Sequence, residues 1–272
     1  GSMKPLALLM VPAILMAIAI HVLVGRVKHR HDNHAEISAS YGPEANRRRW
    51  RAVVVLTLQN CLRFTANVGM FVMFNTWALG HITRYELAGA KDPEDVAAVA
   101  AGLMAGSMTI GMGLSVTVVG RIVKRGHERL PLALLSFVGA AAMASVGFLG
   151  NAVVGERELT TLTLLPVLVC VAMTAIGFFG TFPIATSLAQ RLQPGHTSLV
   201  TSLMMGVGWG TSALHALLAP LFFGFVAINS AHLLPEWRIN LGFVGFASLL
   251  VVAGALTVLI PKDLVEKAAQ HH

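Results

Sequence analysis

Apolar stretches alternate with short clusters of polar and charged residues along the whole chain. Each stretch is about 20 residues long, enough for a helix to cross the hydrocarbon core of a bilayer. Hydrocarbon offers no hydrogen-bond partner to an open strand, so such stretches must be helical. The pattern predicts an all-α integral membrane protein. We predict seven transmembrane helices, at residues 5–25, 51–78, 96–120, 130–150, 161–189, 198–228 and 239–260.

Composition supports this class and excludes a soluble domain. Hydrophobic residues make up 55% of the chain and charged residues only 12%, with a mean hydropathy of +0.70. A soluble domain carries roughly 25% charged residues. The net charge of +7 does not indicate nucleic-acid binding, because the basic residues sit at the ends of apolar stretches without aromatic residues between them.

Lysine and arginine are divided unevenly between the two sides of the predicted membrane. Fourteen of the twenty fall on one side and five on the other, and the last, Arg63, lies within a predicted helix. Basic residues accumulate in cytoplasmic loops. The pattern therefore predicts a cytoplasmic-membrane protein with a basic cytoplasmic loop at 26–50, a cytoplasmic tail at 261–272 and an outside N-terminus. We expect the leading helix, 1–25, to follow other membrane segments in a longer protein.

The six helices after the leading one divide into two sets of three. The segment 103–106, Leu-Met-Ala-Gly, recurs at 203–206 as Leu-Met-Met-Gly, and both helices continue with further glycines. We predict that 51–260 is a six-helix bundle built as a three-plus-three repeat. Secondary transporters are commonly built from such inverted repeats.

This arrangement resembles the C-terminal half of a major facilitator superfamily transporter, preceded by the last helix of its N-terminal half. The loop 120–129, Gly-Arg-Ile-Val-Lys-Arg-Gly-His-Glu-Arg, resembles the basic loop between the second and third helices of each half. Lys124 stands there where the family commonly has Asp, and Gly126 comes one position early. The segment 188–221 is similar to the fosmidomycin-resistance-like branch, and the linker 26–51 fits the central loop. The residues of family type in the first loop are Gly120, Arg121, Arg125 and Arg129.

The resemblance implies a secondary transporter, or part or half of one, that moves a small anionic or amphipathic solute by alternating access. Drug/proton antiport is one form of this activity. The expected partners are the small-molecule substrate, membrane lipids, and either a missing N-terminal half or a second copy of the chain. The alternative is a membrane scaffold or assembly factor that does not transport. We expect no enzyme, because the sequence lacks both a serine-protease arrangement and His-Glu-x-x-His.

Arg63 is the sharpest candidate for a substrate-binding residue. It lies about twelve residues into the predicted helix 51–78, which predicts a position near the midplane of the membrane, where a charge is costly. At 100° per residue Asn60 and Asn67 share its face and Gln59 lies at the margin. A guanidinium there would anchor an anionic group of the substrate. The alternative is an arginine held by a carbonyl or carboxylate between helices.

Other candidates lie in the helices that the repeat relates. Trp209 and His215 are further predicted substrate-binding residues, although His215 is equally well explained by a hydrogen bond between helices. Pro183 predicts a kink with a role in gating. The glycines predict close packing and sliding of helices: Gly106, Gly111, Gly206, Gly208 and Gly210. A histidine cluster at 29–34 is interpreted as a solvated loop, and we expect no metal and no cofactor.

Overall fold

The computed structural model describes residues 42–84, 93–154, 161–223 and 235–270, and every element within these ranges is helical. The predicted leading helix, the histidine cluster and most of the basic loop lie outside the described residues. The α-helices are α1 Pro43–Arg84, α2 Pro93–Ile122, α3 Arg129–Val154, α4 Thr161–Phe179, α5 Thr181–Leu192, α6 Thr197–Ser202, α7 Gly208–Ser212, α8 His215–Phe223, α9 Glu236–Leu256 and α10 Lys262–Gln270.

Helix α1 is longer than its apolar core requires. It begins at Pro43, so the last eight residues of the predicted loop 26–50 are helical, and it ends only at Arg84. At 1.5 Å per residue its 42 residues span about 63 Å. Proline is well suited to the first turn, and Glu44 in that turn interacts favourably with the helix dipole. Its N-terminal turns remain in contact with the rest of the chain, because Arg48 pairs with Asp263 at the start of α10 and Gln193 donates a hydrogen bond to Asn46.

Two predicted helices are interrupted. The predicted helix 161–189 is divided into α4 and α5 at Gly180, close to Pro183. The predicted helix 198–228 is divided more strongly. It consists of α6, a π-helical segment Leu203–Val207, α7, a turn at 213–214 and α8.

Four stretches of the described residues are long and apolar enough to cross a membrane: Ala98–Ile122, Arg129–Ala152, Leu164–Leu192 and Glu236–Leu259. Helix α1 is not among them, because polar residues along its length, such as Arg63, Asn67 and Asn75, keep its mean hydropathy low. The stretch from α6 to α8 does not join them either, because its helical segments are short. The described structure is thus all-helical with four candidate spans.

The helices pack in a bundle around an apolar interior. Helix α3 contacts both α4 and α9, α1 contacts α9 and α7, and α2 contacts α4 and α1. The main core contains large, fully buried side chains such as Trp77, Met104 and Phe243. Burial of such side chains stabilises packing through many close contacts.

A second, smaller core lies where α10 folds back on the bundle. Helix α10 buries Leu264, Val265 and Ala268, which pack with residues of α1 and α5. Its opposite face carries the charged residues, as expected of an amphipathic helix. We call this end of the bundle, with α10 and the loop 123–128, the basic end. The predicted tail 261–272 is therefore largely a packed helix.

Candidate functional site

Arg63 lies inside the helix bundle, between α1 and α3. Its side chain is fully buried. Nε and Nη2 donate hydrogen bonds to Ser136 Oγ at 3.2 and 2.9 Å, and Nη2 also donates to the carbonyl oxygen of Leu132 at 3.3 Å. These contacts correspond to the interhelical alternative in this conformation, while the substrate-anchor role stays a prediction.

Arg63 is also closer to one end of the bundle than its sequence position indicated. Leu132 and Ser136 lie in the first turns of α3, about 5 and 10 Å from its start. One turn before Arg63, Gln59 Nε2 donates to Thr257 Oγ1 at 3.1 Å, just beyond the end of α9. The guanidinium is therefore near the basic end and not at the middle of the helices.

The other predicted polar residues of α1 also face inward. Asn60 is fully buried and Nδ2 donates to the carbonyl oxygen of Met204 at 2.5 Å, within the π-helical segment. Asn67 is buried, and its Oδ1 has no hydrogen-bond partner among the described residues. The predicted polar face of α1 is therefore an internal surface.

Helix α1 also contacts α7 directly. Thr65 Oγ1 donates to the carbonyl oxygen of Thr211 at 3.0 Å. A Cβ added to Gly208 would lie 2.9 Å from the Phe64 ring and 3.1 Å from Asn60 Nδ2, so only glycine fits this approach without displacing a neighbour. Side chains of α1 thus hold the irregular stretch on both sides of Gly208.

Aromatic rings connect α1 with the two interrupted helices. The Phe64 ring lies 5.2 Å from Phe178, 5.8 Å from Phe182 and 4.9 Å from Trp209, between ring centroids. Phe64 and Phe178 are buried, whereas 59% of Trp209 is exposed. The cluster presents the indole of Trp209 on an open face where α1, α5 and α7 meet. Sequence reasoning selected Trp209 but missed Phe64, which carries no distinguishing signal on an apolar helix.

His215 lies at the start of α8. It is half-buried, and its Nδ1 lies 2.7 Å from the carbonyl oxygen of Ser212 in the turn before that helix.

The predicted packing glycines have different surroundings. Gly111 packs directly against the Ala172 backbone of α4. In contrast, a Cβ at three of the predicted packing glycines would meet nothing within 4 Å: Gly106, Gly206 and Gly210. Close packing explains Gly111 and Gly208 but not these three.

Glu128, in the loop 120–129, forms a buried ion pair with Arg191 of α5 that the sequence did not reveal. Arg191 Nη2 donates to Glu128 Oε1, and both side chains are almost fully buried. The two residues are 63 positions apart, so no local pattern could have paired them. Gly126 has a φ of +87°, a left-handed conformation that favours glycine and explains its position in the loop.

The family-type residues of this loop have different environments. Arg121 and Arg125 are exposed, as is the neighbouring Gly120. Arg129 is half-buried and donates from Nη2 to the carbonyl oxygen of Val258 at 3.3 Å. The loop is therefore fixed to α5 through Glu128 and to the end of α9 through Arg129.

The profile of the Major Facilitator Superfamily matches residues 5–216, which is more than half of the chain. No curated protein and no solved structure matches the chain. Members of this superfamily are typically secondary transporters of small molecules and not enzymes. The match confirms the predicted resemblance for the superfamily and identifies no branch within it. The chain is a multi-pass membrane protein that belongs to the major facilitator superfamily.

Proposed function

We propose that the chain forms the C-terminal six-helix half of a secondary transporter, with seven transmembrane helices when the leading helix is included. The single observation that carries this proposal is the pairing of the helices. The contact of α1 with α9 corresponds to that of α4 with α3, and the contact of α1 with α7 to that of α4 with α2. Exchanging the two sets of three helices interchanges these contacts and leaves the contact of α3 with α9 in place, as expected for an inverted repeat.

The recurring sequence segments support the same equivalence. Met104 and Met204 are both fully buried, and two residues later Gly106 and Gly206 both lie against open space. Residues that correspond in the two sets therefore have corresponding environments. These two matching pairs support the proposal that the offset of 100 residues is a structural repeat.

The open face around Trp209 is our candidate for contact with the substrate. It joins helices of both repeats, and two of them are interrupted close to the aromatic cluster, at Gly180 and at the π-helical segment. Interrupted helices commonly form the substrate sites of secondary transporters. We propose a small anionic or amphipathic solute, with the indole of Trp209 stacking on its apolar part. Export from the cell and drug/proton antiport stay predictions.

Four predicted substrate-binding residues could contact the substrate only after a change of conformation: Gln59, Asn60, Arg63 and Asn67. All four are buried within the six-helix unit in the described conformation. A substrate would reach them only if α1 moved away from α3 and α7. His215, half-buried beside the turn at 213–214, would need a smaller movement.

A second six-helix unit completes the proposed transporter. The exposed glycines Gly106, Gly206 and Gly210 allow a helix of that unit to approach closely. The unit is either an N-terminal half or a second copy of the chain. Light scattering of the chain in detergent, corrected for bound detergent, separates the two: a dimer indicates self-association, and a monomer indicates that an N-terminal half is required. The basic end would face the cytoplasm.

Transport is tested with membrane vesicles containing the chain and its second unit. The probes are ethidium, an amphipathic cation, and carboxyfluorescein, an anion. We expect energised movement of at least one probe, and a loss of about five- to tenfold in Trp209→Ala, the effect of removing one aromatic stack. Trp237→Ala is the control, because Trp237 is similarly exposed, at 60%, but lies at the start of α9.

The outcomes distinguish the proposal from its alternative. An equal loss of transport in Trp209→Ala and Trp237→Ala would contradict the open face as the substrate site. Movement of neither probe by the wild-type protein, at normal abundance in the membrane, would favour the non-transporting scaffold.

A further inference from the structure

The loop 120–129 carries four cationic side chains: Arg121, Lys124, Arg125 and Arg129. The first three are exposed, and the fourth is half-buried. Arg121 lies in the last turn of α2, and Arg129 is the first residue of α3. One candidate membrane span, Ala98–Ile122, ends within this cluster, and the next, Arg129–Ala152, begins there. The four charges therefore lie at the depth of a membrane surface.

The positive charge of this loop is not offset by a carboxylate on its surface. Glu128 is the single acidic residue of the loop, and it is buried and paired with Arg191 of α5. Helix α10, at the same end of the bundle, is different, because it carries two lysines and two carboxylates whose charges balance. The excess of positive charge is thus a property of the loop and not of α10.

Large apolar side chains beside the cluster are exposed. The exposed fraction is 70% for Ile122 and 65% for Leu130, and one turn further into α3 Leu134 is also exposed. Val258, at the end of α9, is 74% exposed, and its carbonyl oxygen accepts the hydrogen bond from Arg129 Nη2 at 3.3 Å. Cations next to exposed apolar residues at the end of a membrane span match a phospholipid, which has a charged phosphate above apolar chains. A soluble acidic partner would leave the apolar side chains uncovered.

The loop is held in one conformation by its neighbours. Gly126 has a φ of +87°, and the N–H of His127 donates to the carbonyl oxygen of Lys124 at 3.2 Å. A Cβ added to Gly126 would lie 3.4 Å from Ala269 Cβ, so the loop rests on α10. A backbone that is already fixed loses little conformational entropy when a ligand binds to it.

We propose that the loop 120–129 binds the headgroup of an anionic phospholipid in the leaflet that the basic end faces. Arg121, Lys124 and Arg125 contact the phosphate, for which the arginine guanidinium is well shaped. The acyl chains lie along Ile122 and Leu130. Each basic residue near an anionic membrane surface adds about a fivefold gain in affinity. The inference does not depend on whether the chain transports a solute.

Thermal unfolding of the full chain in a nonionic detergent tests the site. The protein is titrated with dioleoylphosphatidylglycerol, which is anionic, and with dioleoylphosphatidylcholine, which is zwitterionic. We expect phosphatidylglycerol to raise Tm saturably, by about 3–6 °C at ten times the dissociation constant, and phosphatidylcholine to have little effect. In Arg121→Gln/Arg125→Gln the dissociation constant for phosphatidylglycerol should be about 30-fold higher. Both side chains are exposed, so the Tm of this variant without lipid should stay close to that of the wild type.

The control variant is Lys262→Gln/Lys267→Gln, which removes the same number of positive charges from α10 at the same end. Its dissociation constant for phosphatidylglycerol should stay within about threefold of the wild type, because exposed charges at a distance are screened. Equal weakening in the two double variants would overturn the proposal, since the net charge of the whole end would then attract the lipid.

Three further results would also overturn it. One is a Tm that does not respond to phosphatidylglycerol, and another is an equal response to the two lipids. The third is an equal rise in Tm with glycerol phosphate at the same concentration, because the loop would then bind a free phosphate and not a lipid.

Discussion

Asn60 of α1 donates a hydrogen bond to the carbonyl oxygen of Met204, at 2.5 Å, in the π-helical segment Leu203–Val207. π-Helical turns within α-helices are rare and frequently occur at functional sites. Thr65, five residues further along α1, similarly holds the Thr211 carbonyl beyond that segment. The irregular geometry of this stretch is therefore stabilised by side chains of another helix.

Replacement of Asn60 should weaken this attachment. We expect Asn60→Ala to lower the free energy of unfolding by about 1–2 kcal/mol, the upper range for hydrogen bonds between membrane helices. Denaturant unfolding in detergent measures the change. Thr109→Ala is the control, because the Thr109 hydroxyl is exposed and bonds only within its own helix, to Ala105. Equal changes in the two variants would contradict a role for Asn60 between helices.

The buried pair of Glu128 and Arg191 should be important for folding. Glu128→Gln leaves Arg191 buried without its charge partner, and we expect a loss of about 3–5 kcal/mol in the free energy of unfolding. The double variant Glu128→Gln/Arg191→Gln should recover part of this loss, since no unpaired charge remains.

An exposed pair at the same end provides the comparison. Arg48 and Asp263 are about half exposed and 3.4 Å apart. Asp263→Asn should change the free energy of unfolding by at most about 1 kcal/mol, as is typical of surface ion pairs. If the two carboxylate variants have similar effects, burial of the Glu128 pair is not what makes it important.

Glycines in α2 should differ according to what lies beside them. Gly111→Ala forces a methyl group into the Ala172 backbone of α4, and we expect a destabilisation of about 1–3 kcal/mol. Gly106→Ala meets open space and should leave unfolding unchanged or slightly improved, because alanine favours the helix. Thermal unfolding of both variants in one detergent makes the comparison. Destabilisation of the Gly106 variant would show that its surface is already covered.

Gly206 tests the proposed second unit. Gly206→Leu should leave the unfolding of the six-helix unit within about 0.5 kcal/mol of the wild type, because nothing lies within 4 Å of an added Cβ. Transport of a probe that the wild type moves should fall, since a large side chain prevents close approach of another helix. Transport at the wild-type rate would place the second unit elsewhere.

The positions of helices were largely predictable, whereas their continuity was not. Apolar stretches near 96–120, 130–150 and 239–260 correspond to α2, α3 and α9. The interruption at 203–207 was not predicted, and the side chain that binds its Met204 carbonyl, Asn60, is more than 140 residues away. The extension of α1 to Pro43 was missed because a hydropathy pattern reports membrane crossing and not helix length.

The residue types of the candidate site were predictable from the sequence, but the neighbours that each side chain contacts were not. Periodicity correctly grouped Asn60, Arg63 and Asn67 on one face of α1, and all three are buried. The same periodicity cannot say whether that face meets a cavity or another helix. Ser136, which accepts from Arg63, had no feature that marked it within an apolar helix.

The sequence by itself determined that this is a helical membrane protein with one basic end. The free energy of transferring a helix into hydrocarbon is a sum over its own residues, and the basic residues of the loops can be counted directly in the sequence. Tertiary structure decided which polar groups meet. Arg63 faces Ser136, Glu128 pairs with Arg191, and Gly111 is covered while Gly106 is open. These relationships depend on the rotation and depth of helices that are distant in the chain. Packing between helices sets both, and no local pattern of residues encodes them.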